Sequence, residues 1–316
     1  MSAPDNSAAS AAGIEAPANP ARSQPPQKAG FRCLHRLRVR WAEVDMQKIV
    51  FNAHYLMYID TAVSDYWRAL ALPYETAMSS LGGELYVKKA TLQYHASARL
   101  DDVLDIGLRC ASVGRSSVRF EAGIFSSSGQ LLVDGEMIYV FADPATQRPA
   151  PVPTVLRDLF DAFEAGDPVV DVALGPWSTL GDAAGRLRQA VFVQEQGVPA
   201  ALEADALDAT ALHAVLRNRL GAVVATGRLL QPATGLGRIG RMAVDRALRG
   251  QGWGAAVLDA LVEAARARGD QLVELHAQCS AEAFYRGAGF APVGAPFEEA
   301  GLLHVTMERW LAAEGE

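Results

Sequence analysis

The 316-residue sequence predicts two folded units in tandem: an α+β unit with an antiparallel sheet wrapped round one long helix, then an α/β unit with a mixed sheet. Three observations carry this. The length suits two domains of ordinary size better than one. In the first half, one helical stretch is followed by four strand-like segments punctuated by Gly114, Ser128-Gly129 and Asp143-Pro144. In the second half, helical and strand-like segments alternate.

Composition narrows the class. Half of the residues are apolar, 21% are charged and the formal net charge is −7. Neither half is basic, so nucleic acid is not an expected partner. No apolar run approaches the ~20 residues of a membrane-spanning helix. Cys33, Cys110 and Cys279 are odd in number and far apart. That is neither a disulfide framework nor a zinc spacing, so no metal is expected and a reducing cytoplasmic setting is. Residues 1–30, rich in Ala, Pro and Ser, lack the apolar stretch of a signal peptide and are expected to be a disordered tail.

The elements follow in order. Residues 36–41 alternate polar and apolar, as a half-buried strand does. Leu56, Ile59, Val63, Tyr66, Trp67 and Leu70 recur at spacings of three and four, which predicts a helix over 55–70, closed by Pro73. Four strands are expected at 85–95, 103–113, 117–126 and 131–143. Prolines then keep 144–153 extended, 155–165 reads as a short helix, and Gly166-Asp-Pro168 breaks the chain. The expected boundaries are 31–157 for the first domain, 158–175 for a linker and 176–316 for the second. In the second domain, helices are expected at 181–194, 253–268 and 281–287. Strands are expected at 213–217, 221–230, 239–244, 272–278 and 303–309.

The densest chemical signal lies at the turn before the helix 253–268. Gly250, Gly252 and Gly254 let backbone approach a ligand without a Cβ in the way. The helix beyond them directs its unpaired N–H groups and positive dipole end at the turn, which makes a pyrophosphate cradle, with Arg249 beside it. Gly250-x-Gly252-x-x-Ala255 also fits a dinucleotide fingerprint, with Glu274 downstream. However, Asp245–Arg249 separate the strand from the first glycine, and too little chain follows to complete a doubly wound sheet. No Gly-Lys-Ser/Thr follows, which excludes a P-loop.

Arg249-Gly-Gln251-Gly252-Trp253-Gly254 resembles the Arg/Gln-x-x-Gly-x-Gly/Ala motif with which GNAT acetyltransferases bind the acetyl-CoA pyrophosphate. Ala283-Phe-Tyr285-Arg-Gly-Ala-Gly289-Phe290 resembles that family's last helix. Val191-Phe-Val-Gln-Glu195-Gln196-Gly-Val-Pro199, Ala225-Thr-Gly227-Arg228, Ala277-Gln278 and Glu299-Ala-Gly301-Leu-Leu-His304 resemble its ElaA-type branch. The resemblance covers about 180–310. It implies acetyl-CoA or CoA held by Met242, Ala243, Val244, Arg249, Gly250, Gln251, Gly252, Trp253, Gly254 and Tyr285. An amine of a small molecule or peptide would attack the acetyl carbonyl, whose oxyanion a backbone N–H near Met242–Val244 would hold. Tyr285 would protonate the leaving thiolate. Glu195, in the branch signature, is the first choice for general base, with His213, His276 and His304 as rivals.

In the first domain, Glu43 and Asp45 precede an apolar loop and the start of the long helix. A carboxylate beside helix amides suits ester chemistry, although an acid there is more often a cap or a solvated charge. The segment Val39–Leu56 resembles the hotdog-fold acyl-CoA thioesterases of the 4-hydroxybenzoyl-CoA type, whose pattern is Glu/Asp-x-Asp-x-x-Gly-x-Val-x-(polar)-x-x-Tyr. Tyr94, Ala98-Arg99-x-Asp101-Asp102, Gly114-Arg-Ser116-Ser117 and Asp143 recur at similar spacings. The resemblance places Asp45 on the catalytic aspartate, as nucleophile or as general base. Asn52 either orients the thioester carbonyl or caps the helix. Lys48 stands where the family has glycine, a position that costs free energy if φ is positive. The resemblance also implies a homodimer or homotetramer through the hotdog domain. Two alternatives remain: a hydratase pairing His54 with Glu43, and a non-catalytic dimerising acyl-CoA sensor that controls the acetyltransferase half.

Overall fold

The computed structural model describes residues 25–311; residues 1–24 of the expected tail lie outside the described residues. The rest of that tail is part of the fold. Lys28–Gly30 form a helical turn, and Lys28 Nζ donates to buried Asp105 at 2.5 Å.

The first unit is a hotdog-like antiparallel sheet around a central helix. Its strands are β1 (Cys33–Arg38), β2 (Glu84–Tyr94), β3 (Val103–Val113), β4 (Ser117–Ser126) and β5 (Leu131–Ala142), in the order β1-β3-β4-β5-β2. Helix α1 (Asn52–Ala69) buries Tyr55, Tyr58, Ile59, Ala62, Tyr66 and Trp67 against this sheet. Those positions form the stripe that a 3.6-residue period puts on one face. Tyr66 packs edge-on to Phe120 and Phe163, which ties α1 to both β4 and α3 (Thr154–Ala165). Helix α2 (Tyr74–Leu81), which periodicity does not predict, is a two-turn helix that ends at Gly82, in a left-handed conformation (φ 69°).

The expected linker at 158–175 is divided between the two units. Its first part lies in α3, where Leu159, Phe160 and Phe163 belong to the first core. Its last part is β6 (Val170–Pro176), the edge of the second sheet. The chain crosses between them at 166–169.

The second sheet runs β11-β12-β10-β9-β8-β7-β6. Its strands are β7 (Leu212–Asn218), β8 (Val223–Ala233), β9 (Leu236–Val244), β10 (Leu272–Gln278), β11 (Ala291–Glu299) and β12 (Leu302–Trp310). Only β9 and β10 pair in parallel, joined by α6 (Trp253–Arg268), whose apolar face of Val257, Leu258, Leu261, Val262 and Ala265 is buried on the sheet. Helix α4 (Trp177–Arg188) continues through a π-helical turn, Gln189–Glu195; α5 (Ala200–Glu203) and α7 (Glu282–Gly287) complete the unit. No described helix is long and apolar enough to cross a membrane.

The units touch where α1 ends. Ala71 (φ 55°) is fully buried among the apolar side chains of the second core, and its carbonyl accepts Nδ2–H of buried Asn218 at 2.8 Å. Trp253 and Val170 pack against both cores.

Two candidate active sites

The first site is built by the turn between β1 and α1. Asp45 N–H donates to Ile49 O at 2.9 Å, Lys48 N–H donates to Asp45 O at 3.0 Å, and Val44 bridges Val50. This closes a tight loop with Lys48 at φ 61°. The position that the family gives to glycine is left-handed here, and lysine bears the strain. Asp45 Oδ1 accepts Gln47 N–H at 2.7 Å, while Oδ2 has no protein partner among the described residues.

Asp45 lines an open cavity of about 660 Å³ together with Phe51, Asn52, Tyr55, Tyr94 and His95. The first N–H groups of α1 face no intrahelical acceptor, so its positive end closes one wall. Phe51, not Asn52, is the N-cap residue, and no side chain caps it; Asn52 is the first helical residue and is exposed. The cap reading of Asn52 therefore fails, and its side chain remains among the groups around the cavity. Aromatic groups fix the floor. Tyr55 OH accepts Ala98 N–H at 2.8 Å, Tyr94 OH donates to Asn52 O at 3.2 Å, and the two rings meet edge-on at 5.7 Å.

Glu43 is not a cavity group. It is 3% exposed and accepts from Arg40 Nε at 2.6 Å and from Tyr58 OH at 2.7 Å. Burial alone would raise its pKa, but the hydrogen bonds from Arg40 and Tyr58 and the Arg40 charge outweigh burial and hold it below the usual carboxylate range. It braces the loop from beneath, which removes the partner that a His54–Glu43 hydratase pair needs.

The second site lies where β9 and β10 part. Their register runs from Leu236↔Leu272 to Ile239↔Leu275 and stops, so Met242, Ala243 and Val244 part from β10 beside a V-shaped opening, while Ala243 and Val244 stay paired with Thr226 and Ala225 of β8. The turn beyond them has Gly250 at φ 83° and Gly252 at φ 85°, conformations that an L side chain resists. Gly254 has a different purpose. A Cβ there would meet Val244 Cγ2 at 3.1 Å, so its absence lets α6 pack close to β9. Trp253 is the first residue of α6, and its buried Nε1–H has no partner among the described residues.

Tyr285, on α7, is 8% exposed and flanked by the Phe284 and Phe290 rings at 4.9 and 6.1 Å. Burial pushes its phenol up to about 12, so it keeps its proton at neutral pH.

Family models match both halves: a thioesterase-like superfamily over residues 39–160 and an acetyltransferase (GNAT) domain over 180–311. One family model thus matches each of the two units. The acyl-CoA thioester hydrolase YbgC of Escherichia coli is 28% identical over 117 residues, covering 37% of this chain and 87% of that protein. A UPF0039 protein of Synechocystis is 33% identical over 141 residues, covering 42% of this chain and 91% of that protein. A solved structure of a thioesterase complexed with coenzyme A and Zn from Thermus thermophilus is 26% identical, covers 43% of this chain and 97% of its own, and has a TM-score of 0.38.

Within the acetyltransferase domain, the expected base is engaged elsewhere. Glu195 Oε1 and Oε2 accept from the two terminal nitrogens of Arg249 at 2.6 and 2.7 Å. The guanidinium holds the carboxyl below its ordinary pKa, which makes it a weak proton acceptor. His213 is fully buried under Trp177, and burial depresses its pKa. His304 Nδ1 lies 2.8 Å from Leu302 O. His276 differs: it is exposed on β10 one residue beyond the last β9 pairing, and its Nδ1 meets Glu299 Oε2 at 3.1 Å.

Two groups escape a reading of the sequence. Arg188, 1% exposed, is bonded to Glu203 and takes both Asp208 oxygens at 2.9 Å, while Arg228 reaches Asp205 and Asp208 at 2.7 Å. This buried ion network pins α4, α5 and β8 together on the side of the sheet opposite α6. The other is His95, in the thioesterase-like cavity. Its position at the end of a strand gave it no motif, and only folding brings it into the same cavity as Asp45.

Proposed function

We propose that the chain is a bifunctional CoA-thioester enzyme that hydrolyses acyl-CoA in its first domain and transfers acetyl from acetyl-CoA to a small-molecule or peptide amine in its second. The observation that carries this is the pair of separate clefts, each with chemistry suited to the same class of thioester. In the first, α1 amides polarise the thioester carbonyl while the partner-free oxygen of Asp45 attacks it or takes a proton from water. Asn52 orients that carbonyl.

In the second, the amides of the turn Gly250–Gly254 receive the pyrophosphate, with Arg249 as its charge partner and Gln251 and Trp253 alongside. Glu195 occupies that guanidinium in the meantime and yields it on binding. The acetyl group enters the V beside Met242, Ala243 and Val244, whose backbone N–H supports the oxyanion. The amine loses its proton to His276, oriented by Glu299, and Tyr285 protonates the CoA thiolate. The long edge strand β2, with Tyr86, Val87 and Tyr94 exposed, supports pairing with a second copy into a homodimer, or a homotetramer built from it. Free thiols suit a cytoplasmic setting.

The test is a panel of acyl-CoA thioesters, read by free-thiol release with and without amines. Asp45→Asn is expected to abolish amine-independent release. Tyr285→Phe is expected to lower amine-dependent release by ~10-fold or more, within the usual worth of a general acid. Binding of acyl-CoA without release by the first domain would make it the sensor instead.

A further inference from the structure

The cavity of Asp45 holds a second ionisable pair. His95 sits just past β2 and lines the cavity wall; its backbone N–H donates to Leu132 O at 2.8 Å, which fixes the residue against β5. Its Nε2 lies 2.5 Å from Asp134 Oδ1. Asp134 is 8% exposed and cross-strand from Gln93, two residues before His95, so its carboxylate is set by the sheet register rather than by a loose side chain. With Nε2–H donating to Asp134, Nδ1 keeps its lone pair. A base oriented by a buried acid, in the same cavity as the Asp45 carboxylate, is an arrangement suited to hydrolysis of an acyl group.

We propose that His95 is the general base that activates water in the Asp45 cavity, and that Asp134 is its positioning residue. The inference rests on the reading of this domain as a thioesterase. His95 Nδ1 takes one proton from water as the water oxygen bonds to the acyl carbon, of the thioester itself or of an acyl–Asp45 anhydride. The bond from that carbon to sulfur, or to the Asp45 oxygen, breaks with its electron pair. In the direct route the proton held by His95 goes to the CoA thiolate; in the anhydride route the thiolate leaves first and takes a proton from solvent, and His95 then returns to solvent the proton it took from water. The net change is acyl thioester and water to carboxylic acid and thiol. The ionisable groups around His95 are Asp134 on β5, Asp45 on the loop, Tyr55 on α1 and Tyr94 on its own strand.

The test uses the full chain and steady-state thiol release from an acyl-CoA that the wild type hydrolyses, between pH 5 and 9. His95→Gln retains an amide for Asp134 but cannot carry the proton. It should lower kcat about 100-fold or more, leave KM within a few-fold and erase the acidic limb of the profile. His95→Ala should recover part of the lost rate when imidazole is added. Asp134→Asn removes the carboxylate that fixes the ring's tautomer and orientation, so it should lower kcat by about 10-fold or more with KM little changed. That split decides the matter if the His95 variants melt early. An unchanged pH profile in His95→Gln, or a wild-type kcat in Asp134→Asn, overturns the inference while inactivity of Asp45→Asn leaves the thioesterase reading intact. Failure of the wild type to release thiol from any acyl-CoA overturns both.

Discussion

Lys48 gives the sharpest test of the site's construction. Its φ of 61° lies in the left-handed region, where a Cβ costs about 1–2 kcal/mol. Glycine escapes that cost but loses about 0.5–1 kcal/mol of extra chain entropy on folding. Lys48→Gly should therefore stabilise the protein by about 0.5–1 kcal/mol. Lys48→Ala separates strain from charge, because it keeps the Cβ and removes the ammonium. The expected order of melting temperature is Gly above Lys, with Lys and Ala nearly equal, and the Gly variant shifted by about 2–4 °C per kcal/mol for a cooperative unit of 150–250 residues. Acyl-CoA KM reports on the other possibility: if the exposed ammonium meets a CoA phosphate, Gly and Ala raise KM equally. Equal melting of the Gly and Ala variants would refute the strain argument.

Three further outcomes are expected. Glu195→Gln should lower the acetyl-CoA KM by about two- to five-fold with kcat little changed, because an exposed ion pair worth up to about 1 kcal/mol no longer competes for Arg249; a large fall in kcat would return Glu195 to the role of base. Gly252→Ala places a Cβ at φ 85° and should weaken acetyl-CoA binding while leaving amine-independent hydrolysis unchanged, measured side by side in one preparation. Asp208 is buried, which would raise its pKa, but Arg188 and Arg228 outweigh burial and bring it down to about 2. A depressed carboxyl stabilises the fold above its unfolded value near 4, and that contribution is lost as pH falls towards 2. Asp208→Asn should lower stability at pH 7 and flatten that acid dependence, followed by chemical denaturation.

What could be read from the sequence was whatever local repetition encodes. The apolar period of α1, the alternation of the β strands and the glycines before α6 each state their geometry within a few residues. The positive φ at Lys48 was legible only because a family pattern put glycine there. By contrast, β11 carries Pro292, Gly294 and Pro296, which read as a loop; at the edge of a sheet those residues are tolerated because one side of the strand needs no ladder. β6 lay hidden among residues assigned to a linker: its apolar Val170, Val172 and Leu174 directly follow the Gly166-Asp-Pro168 break, which marks a boundary more strongly than a strand of seven residues marks itself. The His95–Asp134 pair and the engagement of Glu195 by Arg249 join residues 39 and 54 positions apart, a distance over which composition says nothing.

Ala71 bears on how this protein can be dissected. A methyl group from the thioesterase-like half is packed inside the other half, with its carbonyl tied to Asn218. Cutting the chain at 166–169 would therefore open a hole in the acetyltransferase interior and strand a buried amide. The two halves share a keystone, and neither is a freestanding module that can be swapped into another protein without repair at that point.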